Sequence, residues 1–337
     1  MKAEKKVSVV ITAHNRKKYL KDAIESILHQ EIKHDVSIEI IIVSNFDDPE
    51  LSEFMKGKSI RNIITDKDSF GEKLAAGIDS SNGDIICFLD DDDMFHSEKI
   101  SRVLEIFEKN PGMSYIHNDI QVISEDTKFD INMGTMTDNN KSEMLKFDLS
   151  GKNRTIKTGK LTSKRADWYV SCISIRADFA KKYSSVLKKL NRSLDKALFL
   201  MAVDYGKEIG ITGQKLTLYR KHESVTGIKA SREKFIFAKH KFTTESMENL
   251  ELLSRTLSSS NKNYDLFNQV FMEKMHANDI IYSIKRKGSL SGAFRMFSLF
   301  IGHGCRECFF IAGILIFHAL SPGRSIDFYM GIQNSGI

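Results

Sequence analysis

The chain reads as an α/β protein, a mostly parallel sheet with helices on both faces, followed by a helical C-terminal region. Three observations carry this reading. Continuous apolar runs at 7–15, 37–44, 62–65 and 85–89 are strand-length and alternate with segments of helical periodicity. Strands that are apolar throughout belong to sheets covered on both sides. From about residue 231 onward only helical patterning remains.

Taken in order, "VSVVITAHN" is a buried-type strand that runs into a polar loop, and Leu20, Ala23, Ile24, Ile27 and Leu28 then recur at helical spacing, with Asn15 as the expected cap. "SIEIIIVS" and the shorter "NIIT" are the second and third strands. A helix over 72–79 follows a turn at Gly71, and the fourth strand, 85–89, stops against four consecutive aspartates, Asp90 to Asp93. A helix over 97–108 leads to the strand-like "MSYIHNDIQVI". Residues 125–165 are polar with weak periodicity and read as a long mobile loop of the kind that closes over a site. "WYVSCISIR" resumes as a strand, "ADFAKKYSSVLKKL" and "LDKALFLMAVDYG" as amphipathic helices, and "KLTLYRKHESVTG" completes a first domain, 1–228. Residues 229–337 form the helical region.

A chain of 337 residues with 41% hydrophobic and 28% charged content is globular. Its formal charge of +6 is unevenly placed, since residues 151–192 hold twelve Lys/Arg against Asp167 and Asp178. That segment attracts an anion such as a phosphate, a nucleic-acid backbone or an acidic lipid surface; the alternative is a solvated basic face. Four cysteines are too few for a disulfide scaffold, and the Cys305–Cys308 pair beside His303, with no second pair, reads as incidental on a helix. The N-terminal apolar run is far too short for a secretory signal, so the expected location is the cytoplasm or the cytoplasmic face of the membrane. Residues 308–323 are sixteen positions without fixed charge. That is fewer than the roughly 20 needed to span a bilayer, so with "LSGAFRMFSLFIG" they read either as a buried helical pair or as in-plane interfacial helices.

The aspartates are the chemical signal. Four adjacent carboxylates repel one another and are stable either fully solvated or neutralised by a divalent cation that prefers oxygen ligands. In open α/β sheets ligands collect at the carboxyl ends of the strands, where strand order reverses. The aspartates lie at such an end, which favours a metal or nucleotide site.

Three separated motifs then match a known family. "VSVVITAHNRKKYLKDAIESILHQ", "GDIICFLDDDD" and "LDKALFLMAVDYG" with "LTLYRKHES" resemble, in order and spacing, the family two glycosyltransferases, whose fold is the nucleotide-diphospho-sugar transferase fold GT-A. The resemblance implies an inverting, Mn²⁺- or Mg²⁺-dependent hexosyltransferase. It would move a sugar from a UDP- or GDP-sugar to a glycan acceptor, with no nucleic acid among its partners; if the tail helices are interfacial, a membrane surface and a lipid-linked acceptor join them. It places Asp92 as the main metal ligand, Asp90 at the ribose or metal, Asp93 in support, and Asp91 at the variable, solvent-exposed position. His222 joins the metal set, Asp195 is the general base with Asp204 as competitor, and Lys73 and Arg220 or His222 reach the diphosphate.

The chain departs from the family pattern at three places. The usual Glu before the base is Leu194; the usual Pro-x-Tyr-Asn is Thr12, Ala13, His14 and Asn15; and the usual Asp-Asp after strand two is Ser44-Asn45, with Asp47 and Asp48 displaced. His14, Asn15, Ser44 and Asp47 are therefore the expected nucleotide contacts, with His14 stacking on the base. Two rival readings stand beside this one. A haloacid-dehalogenase-type phosphatase also uses Asp-x-Asp after a strand, but it normally has Thr or Val where this chain has Met94. The other rival is a non-catalytic nucleotide-sugar or carbohydrate binder.

Overall fold

The computed structural model describes residues 5–14, 17–32, 35–67, 69–130, 144–149, 166–221, 231–257, 262–284 and 287–335. The chain divides into two compact units, residues 1–150 with 168–222, and residues 151–167 with 223–337.

The described part of the first unit is built on nine strands: β1 Lys5–Ala13, β2 Val36–Ser44, β3 Ile60–Ile64, β4 Ile85–Asp90, β5 Met94–Phe95, β6 Met113–Ser124, β7 Leu145–Asp148, β8 Ile173–Arg176 and β9 Glu208–Lys221. They form one sheet in the order β3-β2-β1-β4-β8-β6-β9-β5, with β7 also on β9. Its helices are α1 Leu20–Leu28, α2 Pro49–Met55, α3 Phe70–Ser80, α4 Lys99–Lys109, α5 Ala177–Leu187 and α6 Leu194–Tyr205.

Alternation along β1 explains the two covered faces. Val7, Val9 and Ile11 pack in one core with Ala23 and Ile24 of α1 and Val103 and Phe107 of α4. Val10 points the other way and meets α3, where a Cβ on Gly77 would lie 2.3 Å from a Val10 methyl. A period of two therefore sends successive side chains to opposite helical layers.

The expected parallel order holds for β3-β2-β1-β4. Beyond β4 the sheet is mixed: β8 runs antiparallel to both β4 and β6, β9 is parallel to β6, and β5 and β7 are antiparallel to β9. A strand buried on both faces carries no sequence mark of its direction. Other differences are local. Helix α1 starts at Leu20 with Tyr19 at its cap, and Asn15 lies outside the described residues. "WYVSC" holds a 3₁₀ turn, Val170–Cys172, before β8 begins. Part of the expected long loop is the strand β7; residues 131–143 and 150–165 lie outside the described residues. Helix α6 is not amphipathic, because Ala197 through Val203 are all buried.

Gly71 lies within α3 and not in a turn before it. A Cβ there would sit 2.1 Å and 2.2 Å from the carbonyl oxygens of Leu187 and Leu190, so only glycine lets α3 approach the connection between α5 and α6. Ser69, the α3 cap, donates to the Leu190 carbonyl at 3.1 Å and fixes the same approach. Gly71→Ala is expected to cost about 1–3 kcal/mol through overpacking, read as a lower urea midpoint. An unchanged midpoint would mean that the contact is slack.

The second unit is helical: α7 Arg232–Thr256, α8 Lys262–Tyr282, α9 Ser289–His303, α10 Arg306–Leu320 and α11 Pro322–Ser335. Its core joins Val270 and Ile281 of α8, Met296 of α9, Ile311 and Leu315 of α10 and Ile326 of α11. Cys305 caps α10 instead of lying on the helix, and buried Cys308 Sγ donates to its sulfur at 2.7 Å. That contact lowers the Cys305 thiol pKa below its ordinary value. No helix among the described residues is long and apolar enough to cross a membrane.

Candidate active site

Strand order reverses at β1, with β2 on one side and β4 on the other, which opens a crevice at their carboxyl ends. Register places Thr12 opposite Asp90 and Ala13 opposite Ser44. His14, Ser44 and Asp90 are thereby brought to one edge.

The aspartates alternate in role. Asp91 is buried and accepts the His14 backbone N–H at 3.1 Å, so the expectation that it is solvent exposed is corrected. Asp93 is also buried; its carboxylate accepts the Ser171 hydroxyl at 2.7 Å and the Arg220 backbone N–H at 3.0 Å. Burial first, and then the charge of Asp92, push its carboxyl up to about 7. Asp90 and Asp92 are half-buried. Thr12 Oγ1 is 3.5 Å from Asp90 Oδ1, and the Asp90 N–H donates to Ser171 Oγ at 3.0 Å. Two carboxylates are thus tucked inward as anchors and two remain at the crevice.

Among the described residues no three His, Cys, Asp or Glu side chains gather to hold a cation by themselves. Asp90 and Asp92 would offer two carboxylates, which is what Mg²⁺ commonly takes from a protein when substrate phosphates and water supply the remaining oxygens. The hard oxygen donors fit such an ion. His222 lies outside the described residues.

The basic residues are placed differently from expectation. Arg220 is 1% exposed, and its guanidinium is spent on protein: Nε on the Asp92 carbonyl at 2.9 Å, Nη1 on the Glu125 carbonyl at 3.1 Å and on the Thr127 carbonyl, Nη2 on Asp22 Oδ2 at 3.3 Å. It is stacked over the Tyr19 ring at 4.6 Å. In this geometry it clamps the acidic turn and does not face a diphosphate. Lys73 is fully buried; its Nζ contacts the Ala13 carbonyl at 3.3 Å and His14 Nδ1 at 2.6 Å. An ammonium can only donate, so Nδ1 accepts and the ring proton of neutral His14 sits on Nε2. Lys73 therefore orients His14 from behind and is not exposed to a ligand itself. His14 is half-buried, with its ring 5.5 Å from Phe70.

The Ser44 hydroxyl is turned to the Phe46 carbonyl at 2.9 Å. Asp47 is exposed, and its carbonyl accepts from Lys17 at 3.4 Å. Asp48 caps α2 through the Glu50 and Leu51 amides.

Asp195 lies in the first turn of α6 and is half-buried. Oδ1 accepts the Lys196 N–H at 2.8 Å and Oδ2 the Tyr169 N–H at 3.2 Å. Asp204 is nine residues further along α6, about 14 Å at 1.5 Å per residue, and accepts the Tyr183 hydroxyl at 2.6 Å.

What joins Asp195 to the acidic turn is a segment that pattern reading missed. Tyr169, with φ 54°, offers its N–H to Asp195, and two residues later Ser171 holds Asp93. The Ser171 carbonyl is held in turn by Thr217 Oγ1 at 2.9 Å and Lys99 Nζ at 3.4 Å. Lys99 is fully buried, and that burial lowers its ammonium pKa. The Tyr169 ring lies 4.6 Å from that of Tyr219, whose hydroxyl is pushed up by burial and by Tyr169, Asp93 and Asp92. The only sequence trace of this bridge is a serine and a tyrosine inside an apparent strand.

Sheet order, the acidic turn at the switch point and the covering helices make this the GT-A, nucleotide-diphospho-sugar transferase fold. Among solved structures, S. aureus TarS 1-349 in complex with UDP-GlcNAc is similar with a TM-score of 0.54 at 14% identity, over 98% of this chain and 91% of that one. Its complex with UDP gives 0.55 at 13% identity, over 98% and 90%. Residues 8–169 match the family model for glycosyl transferase family 2, and this part of the chain belongs to that family.

An uncharacterized glycosyltransferase of Rickettsia bellii (strain RML369-C) is 31% identical over 140 residues, 40% of this chain and 20% of that protein. One of Haemophilus influenzae (strain ATCC 51907 / DSM 11121 / KW20 / Rd) is 29% identical over 114 residues, 33% and 38%. Protein CgeD of Bacillus subtilis (strain 168) is 25% identical over 130 residues, 35% and 30%. The chain spans well under half the length of each of these relatives.

Proposed function

We propose that the chain is an inverting, metal-dependent glycosyltransferase that moves a sugar from a nucleoside-diphosphate donor, a UDP-sugar in the first instance, to a hydroxyl of a glycan or to a lipid-linked acceptor on the cytoplasmic side of a membrane. The observation that carries this is the bridge from Tyr169 to Ser171, which ties Asp195 and the acidic turn to one short piece of backbone. On this reading a carboxylate able to take a proton and a pair able to hold a divalent cation would face one crevice. The UDP-GlcNAc complex of the structurally similar TarS supports the choice of uridine.

Asp195 would accept the proton of the attacking acceptor hydroxyl while the two N–H donors hold its carboxylate in place. Asp90 and Asp92 would hold Mn²⁺ or Mg²⁺, which when bound offsets negative charge growing on the departing diphosphate. His14, oriented by Lys73, and Ser44 and Asp47 at the ends of β1 and β2 would face the nucleoside.

Incubation with UDP-, GDP- and dTDP-sugars in Mn²⁺, followed by nucleotide release and proton NMR of the anomeric centre, tests the proposal. UDP release with inversion of the anomer is expected. Donor-dependent thermal stabilisation with no release from any donor would instead make the protein a binder.

A further inference from the structure

We propose that the second unit docks, in plane, on an anionic lipid bilayer through the outer face of the α9–α10 hairpin. On α9 that face is Leu290, Phe294, Phe297 and Ile301, spaced by four, three and four residues, and Phe294 is 73% exposed. On α10 it is Phe309, Gly313, Ile316 and Leu320, with Leu320 72% exposed. The two helices run antiparallel against each other: Phe297 and Phe309 are 6.2 Å apart near the turn, and a Cβ on Gly292 would meet Leu315 at 3.2 Å further along. Their opposite faces already supply the unit's core through Met296, Ile311 and Leu315. The outer face is therefore surplus to folding. It encloses an open cleft of about 640 Å³ whose lining residues are all apolar or glycine, with Phe328 of α11 closing one side.

Three features of this face select lipid as the occupant. First, it has no directional chemistry. Its hydroxyls, Ser291 and Ser298, are spent on the Gly288 and Phe294 carbonyls of their own helix at 3.0 Å each. Protein interfaces carry about one hydrogen bond per 100–200 Å² and centre on Tyr, Trp and Arg, whereas this face offers phenylalanine and aliphatics only.

Second, its rim is cationic. Residues 284–337 contain six Lys/Arg against Glu307 and Asp327, and of the six Arg295 is paired with Glu273 at 2.7 Å. Both acids are neutralised inside the unit, Glu307 by Lys274 and Asp327 by Arg232. Lys287 precedes the face by three residues and Arg324 follows it by four, both exposed, and Arg306 is exposed at the turn. Cations flanking an apolar helical face match the headgroup layer of an anionic leaflet.

Third, each helix is fifteen residues long. At about 22 Å that is too short for the roughly 30 Å hydrocarbon core, so the hairpin lies in the interface and does not cross it.

The test is cosedimentation of the full chain with phosphatidylcholine vesicles and with phosphatidylcholine–phosphatidylglycerol vesicles, in low and high salt. It needs no donor and no turnover, so its failure is separate from failure of the transferase reading. Binding is expected to the anionic vesicles, weakened by salt. Phe294→Ser with Leu320→Ser should reduce it at least tenfold without changing the melting temperature, because both positions are exposed. Lys287→Glu and Arg324→Glu should each reduce it about fivefold or more, on anionic vesicles only. Absence of binding by folded wild type would overturn the proposal. So would a dimer in light scattering that the double serine variant dissociates while vesicles capture neither form.

Discussion

Asp195→Asn is expected to lower the rate of sugar transfer about a hundred- to ten-thousand-fold while leaving Mn²⁺-dependent donor affinity unchanged. Removing a general base costs roughly that much, and Asp195 sits on α6, a different element from the turn after β4 that carries Asp90 and Asp92. Asparagine keeps the shape of the side chain but places an NH₂ where one of two backbone N–H groups, from Lys196 or Tyr169, now finds an acceptor. One lost hydrogen bond adds a stability cost of about 1 kcal/mol, so the variant still folds. A carboxylate that merely complements the α6 dipole gives a different result, a loss of about 0.3–1 kcal/mol with near-normal turnover. Single-turnover assays with donor affinity measured in parallel separate the two. Normal transfer would remove Asp195 from the chemistry; Asp204, held by Tyr183 at the other end of α6, is not a ready substitute.

Arg220→Ala is expected to be the most destabilising single change in the first unit. The substitution leaves the nearly buried Asp22 with the exposed Lys128 ammonium, 3.9 Å away, in place of the buried guanidinium, and strips donors from the carbonyls of Asp92, Glu125 and Thr127. Breaking a buried ion pair from one side costs roughly 3–5 kcal/mol. Lysine should rescue little, since a single ammonium cannot span donors that the planar fork delivers in three directions. Adding Asp22→Asn to Arg220→Ala should restore part of the loss by removing a nearly buried charge left with the exposed Lys128 as its counter-charge. At temperatures where Arg220→Ala remains folded, donor affinity in Mn²⁺ should still fall, because the arginine holds the Asp92 backbone. Denaturation midpoints and calorimetric titrations check both statements, and an unchanged midpoint would refute the clamp.

These two residues also show what the sequence made legible. The four apolar strands, the acidic run at the end of β4 and the first-turn position of Asp195 could be read because each depends on local pattern or on a rule about where strands end. Arg220 and Lys73 looked like anion ligands for an equally local reason, a cation inside a polar motif. Their actual roles depend on Asp22 and His14, partners contributed by other elements, which no spacing reveals. Ser171 was hidden because a hydroxyl in an apparent strand carries no signal until Asp93 is beside it. The antiparallel course of β8 was hidden because burial on both faces erases the alternation that would have marked it. In the second unit the absence of charge over residues 308–323 was plain, but which face of α10 would be left uncovered depended on how α9 packed against it.

The most direct test of the central claim, that the Asp90–Asp92 turn at the switch point holds a cation-bound sugar-nucleotide, is calorimetric titration of a UDP-sugar into wild type and Asp92→Asn, each in Mn²⁺ and in EDTA. Changes one shell out from a metal typically cost ten- to a hundredfold in affinity, so loss of the ligand itself should cost at least that. The account predicts wild-type binding in Mn²⁺, little in EDTA, and at least about tenfold weaker binding by the folded variant. Binding of equal strength in EDTA, or undiminished Mn²⁺-dependent binding by folded Asp92→Asn, would contradict it.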